Sequence, residues 1–166
     1  DEEIFLKMKA MRVHGQVKRY THKYIGMGGR LDNIQAAILG VKLNYYRRDI
    51  KRRQEVAERY NSLLQGFVPV PIVAAKNNSV WAQYTIRVAQ RDKIQEYLKD
   101  KGVPTAVHYP IPVHLQECFA YLGHKKGDFP FAEKAANEVM SLPMNSYLTQ
   151  EEQEYIINTL LKSLHQ

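Results

Sequence analysis

The sequence predicts a mixed fold, a small α/β or α+β lobe attached to a long helical region, and three observations carry that prediction. Apolar residues recur at helical spacing from 32 to about 65. Strict alternation runs over 80–88, with Val80, Ala82, Tyr84, Ile86 and Val88 on one face. A helical pattern over 91–101 is followed by a short β-branched run at 105–108, so that strand, helix and strand lie together. With 166 residues, 45% of them hydrophobic, the chain can hold one core of ordinary size or two small lobes.

Taken in order, residues 1–12 read as the end of a helix with Ile4, Phe5, Met8 and Met11 on one face, closed by His14-Gly15. The segment 16–29 keeps no period and mixes Lys18, Arg19, His22 and Lys23 with Tyr20 and Tyr24, which predicts a long polar loop. In the helical region, Ile34, Ile38, Val41 and Tyr45 form one stripe that Ile50, Ala57, Tyr60 and Leu64 continue with a drift. Its length predicts either one long helix or two with a bend near Asp49. Gly40 weakens the helix by about 1 kcal/mol relative to alanine, and is read as a place where another backbone packs close.

Gly66, Pro69 and Pro71 stop the helix, and 68–73 reads as an edge strand because proline cannot donate to a ladder. The helix at 91–101 turns Ile94, Tyr97 and Leu98 inward and ends at Gly102. Residues 113–128 read as a short helix and polar loop, and 131–140 as a helix burying Ala135 and Val139. Residues 141–144 are extended and can add a strand. Thr149 with Glu152 is a capping-box spacing that opens a last helix burying Tyr155, Ile156, Leu160 and Leu164.

Composition narrows the function. The net charge of +7 invites nucleic acid, but its densest run, 47–53, is interleaved with Asp49, Glu55 and Glu58 as on a solvated helix face. No nucleic-acid partner is expected from it. No apolar run reaches bilayer length, and the acidic N-terminal residues do not resemble a secretion signal, so no membrane partner is expected. One cysteine, Cys118, excludes an internal disulfide and fits a reducing, cytoplasmic compartment; its apolar setting reads as a buried small hydrophobe.

Six histidines (His14, His22, His108, His114, His124 and His165) lack metal-ligand spacing, so no metal is expected. There is no nucleophile elbow, Walker loop or dinucleotide fingerprint, and no catalytic residue is assigned. Two stretches carry chemistry. At 26–37 a Gly-Met-Gly-Gly-Arg run opens a helix that Asp32 can cap with Gln35. Such an entry presents backbone N–H groups, a helix dipole and the Arg30 guanidinium to an anion, or is simply a flexible loop before a capped helix. At the end of the 105–108 strand, prolines 110 and 112 hold His108 and Tyr109 with little freedom left to lose.

The 26–37 block resembles the Gly-x-Asn-x-Arg-[Leu/Met]-Asp-x-x-Gln-Ala-Ala block of the DegT/DnrJ/EryC1/StrS family, pyridoxal-phosphate sugar aminotransferases of the aspartate-aminotransferase fold. Arg12-Val13-His14-Gly15 ahead of it, Arg52-Arg53 with Ala57 and Tyr60 behind it, the 102–112 run and Met140-Ser141-Leu142-Pro143-Met144 extend the resemblance along nearly the whole chain. Trp81-Ala82-Gln83-Tyr84-Thr85-Ile86-Arg87 with His-Tyr-Pro-Ile-Pro is most similar to the WbpE-like members, which aminate the 3-keto group of a UDP-linked N-acetyl-hexosaminuronic acid for surface polysaccharide, including lipopolysaccharide.

The resemblance implies the C-terminal portion of that fold: a long helix plus a small antiparallel sheet with helices. It implies residues 1–29 as the end of the large-domain region and its active-site loop, 30–66 as the connecting helix region and 67–166 as the small domain. It implies pyridoxal 5′-phosphate as the cofactor of the full-length homodimer, a UDP-ketosugar as substrate and an amino donor, L-glutamate. The family's cofactor lysine lies in a Ser-x-x-x-Lys segment upstream of the matched region, and no serine of this chain is followed by lysine at that spacing. By position, Gly28 stands where the family has a cofactor-phosphate asparagine, leaving backbone N–H groups for that contact. Arg30, His108 and Tyr109 stand where the substrate is held, reaching the neighbouring subunit's site. Because some family members lack the lysine, a non-catalytic, sugar-nucleotide- or partner-binding regulatory domain is the alternative.

Overall fold

The computed structural model describes residues 1–164. The chain divides into two compact units, Asp1–Tyr46 and the segment from Arg47 onward, each holding helices and a small antiparallel sheet. The mixed helix-and-small-sheet expectation is met.

In the first unit, Asp1 caps helix α1 (Glu2–Met11) by accepting from the N–H of Glu3 at 2.9 Å and of Ile4 at 3.4 Å. Ile4, Phe5, Met8 and Met11 remain exposed, and only Ala10 is buried. After the helix, His14 and Gly15 both take positive φ and turn the chain back.

The segment expected to be a loop contains a hairpin, β1 (Gln16–Lys18) against β2 (Thr21–His22). Its closure does not use alternation, which is why the pattern hides it. Instead the Gly15 carbonyl accepts from Lys23 and Tyr24, and Met11 and Arg12 carbonyls accept from Met27 and Gly29. Two glycines make this fold-back possible. A Cβ on Gly15 would lie 1.6 Å from the Tyr24 carbonyl oxygen, and one on Gly26 would lie 2.3 Å from that of Met11. Helix α2 (Asn33–Leu43) follows with Asp32 at the N-cap position, but its carboxylate makes no capping bond and the expected box with Gln35 is absent. The exposed carboxylate has water as a competing partner, so the bond gains little. A Cβ on Gly40 would meet nothing within 4 Å, so the anticipated close backbone contact is not present among the described residues.

Two helices replace the single-helix alternative, and the interruption falls at Asn44–Tyr45, earlier than the anticipated bend at Asp49. Asn44 and Tyr45 donate three residues back, to Val41 and Lys42, tightening the last turn. Helix α3 (Tyr46–Leu64) then buries Val56, Ala57, Tyr60 and Leu64 along one stripe, and Gly66 exits at φ +90°. Residues 68–73 are extended but form no strand. With prolines at 69 and 71, the segment is tied to the sheet by one long bond, Arg87 N–H to the Pro69 carbonyl at 3.4 Å.

Strand β3 (Tyr84–Arg87) is shorter than the alternating run because Trp81 adopts φ +50° and breaks the extension; Val80 and Ala82 lie exposed. The expected helix forms as α4 (Arg91–Asp100), with Ile94 and Leu98 buried and Tyr97 half-buried. Two 3-10 turns (Val113–Leu115 and Glu117–Leu122) precede α5 (Pro130–Glu138), which buries Ala136; Ala135 and Val139 are half-buried. Strand β4 (Val139–Leu142) pairs antiparallel with β3, Tyr84 to Leu142 through Arg87 to Val139. On its other edge Ser141 forms a bridge with Ala106, so the 105–108 strand reduces to one ladder rung. Helix α6 (Gln150–Ser163) carries the expected capping box between Thr149 and Glu152. Ile156 and Leu160 are buried and Leu164 is partly buried, whereas Tyr155 is exposed and donates its hydroxyl to the Lys101 carbonyl at 2.9 Å.

The core lies where α3, α4, α6 and one sheet face meet: Ala57, Tyr60, Leu64, Tyr84, Ile86, Leu98, Met140 and Leu160 are fully buried. Its polar atoms are paired. The Tyr60 hydroxyl donates to the Pro143 carbonyl at 3.0 Å, Tyr84 to Asn61 Oδ1 at 2.6 Å, and buried Gln153 donates to the Val56 carbonyl at 2.7 Å. Leu64→Ala is expected to destabilise this unit by about 2–5 kcal/mol in urea unfolding. Ile38→Ala, at a position 55% exposed, is expected to change stability by less than about 0.5 kcal/mol in the same assay.

Candidate functional site

The pleat of β3 and β4 separates two chemistries. Tyr84, Ile86, Met140 and Leu142 point into the core. Thr85 and Ser141, paired across the strands, share the opposite face. Ser141 exchanges both of its backbone hydrogen bonds with Ala106, at 2.7 and 3.2 Å, so its pairing with Thr85 is of the non-hydrogen-bonded kind that brings side chains closest. Their hydroxyl oxygens lie 2.8 Å apart. Two residues beyond Ala106, His108 returns to this face and sets Nδ1 3.2 Å from Ser141 Oγ. The Tyr109 ring stands edge-on to His108 with centroids 5.8 Å apart and is 75% exposed.

Of these, His108 and Ser141 line a shallow cleft of about 280 Å³ that also includes Gln83, Thr105 and Pro143. Gln95 steadies its rim by donating to Thr105 Oγ1 at 3.0 Å. A larger hollow of about 570 Å³ lies among Phe67, Arg87, Lys93 and Tyr97. Its Arg87 is already paired with Glu138, and among the described residues its lining holds no histidine or carboxylate.

The segment leaving His108 and Tyr109 is anchored downstream. Gln116 donates to the Ile111 carbonyl at 3.4 Å, and His114, on the 3-10 turn after Pro112, lies 3.0 Å from Glu133 of α5. Glu133 also accepts from the Gly127 N–H at 2.7 Å, and Phe129 packs between the rings of His114 and His124. The Gly127 N–H first, and His114 after it, hold the Glu133 carboxyl below the usual carboxylate range.

In the first unit, Gly28 occupies a bridge with Val13 whose hydrogen bonds run from the N–H groups of His14 and Gly29. Gly28 is thereby the non-hydrogen-bonded member, and its own N–H points away from that ladder. A Cβ on Gly28 would sit 3.3 Å from the His14 ring, so the absent side chain leaves room for that ring. Arg30 is exposed, and its guanidinium makes no hydrogen bond or ion pair among the described residues. A pyridoxal phosphate asks for a lysine, a carboxylate for its ring nitrogen and donors for its phosphate. Of these, the first unit offers a donor that could meet the phosphate, the N–H of Gly28. Every described lysine is exposed. Gly28 and Arg30 belong to the first unit, His108 and Tyr109 to the second, where only His108 and Tyr109 are in direct contact.

Among the described residues no group of histidine, cysteine and carboxylate side chains is placed to hold a metal, and no helix is long and apolar enough to cross a membrane. His22 Nδ1 instead lies 2.9 Å from the His14 carbonyl, and His165 falls outside the described residues. Cys118, expected to be buried, is exposed because its 3-10 turn packs no side chain into the core. Pattern reading missed Thr85, Ser141 and Glu133. The signal available for the first two was their odd-numbered place in strands whose even-numbered residues are apolar.

Because the Glu133 carboxyl is held low, its contribution is present above the ordinary carboxylate pKa and is lost as pH falls through its own lower value. The Gly127 amide resonance is therefore expected to shift on acidification only below the range where ordinary glutamates titrate. Glu133→Gln is expected to abolish that acid-side transition in an NMR titration.

The sequence profile of the DegT/DnrJ/EryC1/StrS aminotransferase family matches residues 1–161. A protein of Geobacillus stearothermophilus named pleiotropic regulatory protein is 43% identical over 164 residues, covering 96% of this chain and 44% of that protein. The UDP-2-acetamido-2-deoxy-3-oxo-D-glucuronate aminotransferase of Pseudomonas aeruginosa is 45% identical over 149 residues, covering 89% of this chain and 41% of the enzyme. The crystal structure of S. venezuelae DesV superposes with a TM-score of 0.88 at 31% identity, covering 100% of this chain and 45% of that one. A family aminotransferase from Brucella abortus gives a TM-score of 0.84 at 34% identity, covering 96% and 43%. The chain spans less than half the length of the relatives it matches. It belongs to the DegT/DnrJ/EryC1/StrS aminotransferase family.

Proposed function

We propose that this chain is the C-terminal portion of a pyridoxal-phosphate-dependent nucleotide-sugar aminotransferase that passes an amino group from L-glutamate to a UDP-linked ketosugar for surface polysaccharide. The reading is carried by the 45% identity, over 89% of the chain, to the Pseudomonas aeruginosa enzyme whose name specifies a UDP-linked 3-oxo-glucuronate. The resemblance of the 81–87 and 108–112 runs to WbpE-like members supports the same substrate.

In this reading residues 1–29 end the large-domain region, 30–66 join it to the small domain and 67–166 form that small domain. The apolar residues left exposed on α1 and α2, such as Phe5 and Ile34, support the view that a further part of the protein covers them. The cofactor, when bound, supplies the electron sink and carries the amino group. The chain's own residues do the holding. Arg30 offers two parallel donors to a phosphate or carboxylate oxygen, and the Gly28 N–H meets the cofactor phosphate. His108 and Tyr109 orient the sugar nucleotide, and a homodimer lets the Arg30 loop serve the neighbouring subunit's site. A nucleotide-activated substrate goes with cytoplasmic chemistry. The chain by itself, without a cofactor lysine of the family's Ser-x-x-x-Lys kind, is inactive.

The 43% identity to the pleiotropic regulatory protein favours a second reading, a domain that binds a sugar nucleotide or a partner and catalyses nothing. The sequence upstream of Asp1 separates the two, since a Ser-x-x-x-Lys segment belongs to the enzyme. In the complete protein, Arg30→Ala is expected to weaken UDP-sugar binding roughly ten- to hundredfold with the cofactor's visible absorbance retained. Unchanged affinity in a calorimetric titration would remove Arg30 from the site, and a complete protein without cofactor absorbance would remove the enzyme reading.

A further inference from the structure

The hydroxyl pair behind His108 fixes more than the ring's position. Ser141 is 5% exposed, Thr85 is half-buried, and the Ser141 oxygen lies between Thr85 Oγ1 at 2.8 Å and His108 Nδ1 at 3.2 Å. A hydroxyl has one hydrogen to give, and a neutral imidazole has one N–H and one bare nitrogen. Two arrangements satisfy the contacts. If His108 Nδ1 carried the hydrogen, it would donate to Ser141, and Ser141 would donate to Thr85. The Thr85 hydroxyl hydrogen would then have no acceptor within the protein, since its side chain has no other hydrogen-bond partner among the described residues. If Thr85 donates to Ser141 and Ser141 donates to Nδ1, both hydroxyl hydrogens are used and only acceptor lone pairs are left over. A half-buried donor without a protein acceptor costs more than an under-used oxygen.

We infer that Thr85 and Ser141 are positioning residues that lock neutral His108 with its hydrogen on Nε2. The ring then faces the cleft as a hydrogen-bond donor. Resting on the reading that His108 meets the sugar nucleotide, this makes it a donor to a ligand oxygen and not a base that removes a proton. Specificity follows: the cleft selects an acceptor at that point, and an ammonium or other pure donor there is rejected.

Long-range proton–nitrogen NMR of the nitrogen-15-labelled chain, at a pH where the histidines are neutral, reads the tautomer without any ligand. Wild type is expected to show an imine-type Nδ1 and a pyrrole-type Nε2 for His108. Ser141→Ala is expected to give averaged shifts at both nitrogens, and the isosteric Thr85→Val, which keeps the strand packing, is expected to move them in the same direction by a smaller amount. In the complete protein, Ser141→Ala is expected to weaken UDP-sugar affinity roughly two- to tenfold, with Ser141→Thr restoring both the tautomer and the affinity. A pyrrole-type Nδ1 in the wild type, or shifts indifferent to both substitutions, overturns the inference. The tautomer is measured ligand-free, so a finding that His108→Phe leaves UDP-sugar affinity intact would sink the binding role separately.

Discussion

Strand β4 is used on three sides at once, and the second unit's chemistry depends on that. Met140 and Leu142 enter the core at 0% and 3% exposure, the Ser141 backbone is spent on Ala106, and the Ser141 side chain joins Thr85 to His108. The energies rank these roles. Each large apolar side chain buried is worth about 1.5–3 kcal/mol, against about 1 kcal/mol for a neutral hydrogen bond. Four such residues on the core face, Tyr84, Ile86, Met140 and Leu142, therefore set the register, and the hydroxyl relay follows from it. A slip of one residue would bring Ser141 into the core and Met140 into the cleft. The cleft has no independent scaffold; its polar face is the reverse side of the core.

The first unit rests on a steric constraint. A glycine-rich approach to a helix reads as an anion cradle, yet Gly26 is consumed by the approach of the Met11 carbonyl, and Gly15 by that of Tyr24. Those glycines close the fold-back of 13–29 onto the end of α1. What that fold-back leaves for a ligand is narrower than the motif suggests: one N–H at Gly28 on the open side of a ladder, and the uncommitted Arg30 guanidinium two residues later. The glycine run is a packing device whose middle member, Gly28, doubles as an edge.

Features written locally were legible. The Thr149–Glu152 box closes within four residues of chain, and Gly66 and Gly102 end their helices in the positive φ that their identity permits. Asp32 and Gln35 show the same spacing without the bonds, because spacing cannot say whether water outcompetes a cap. The hairpin at 16–22 escaped because its strands, Gln16–Lys18 and Thr21–His22, are too short for an alternation to register. Residues 68–73 had strand composition, but strand formation needs a ladder, and two prolines leave too few donors for one.

The site divides along the same line. His108 and Tyr109 could be picked out because prolines beside them restrict the backbone in the sequence itself. Ser141 could not, since a serine between Met140 and Leu142 reads as one polar interruption of an apolar run. Its partners stand 56 and 33 residues away, and only the register of β3 on β4 and the bridge to Ala106 bring them to one point. Even then the contacts alone are symmetric: oxygen, oxygen and nitrogen in a row allow hydrogens to run either way. What breaks the symmetry is that the row ends in a half-buried hydroxyl with no further protein acceptor among the described residues, which favours hydrogens running from Thr85 toward the ring. The direction of a polar relay is decided at its far end, the place most distant from the residue whose chemistry it sets.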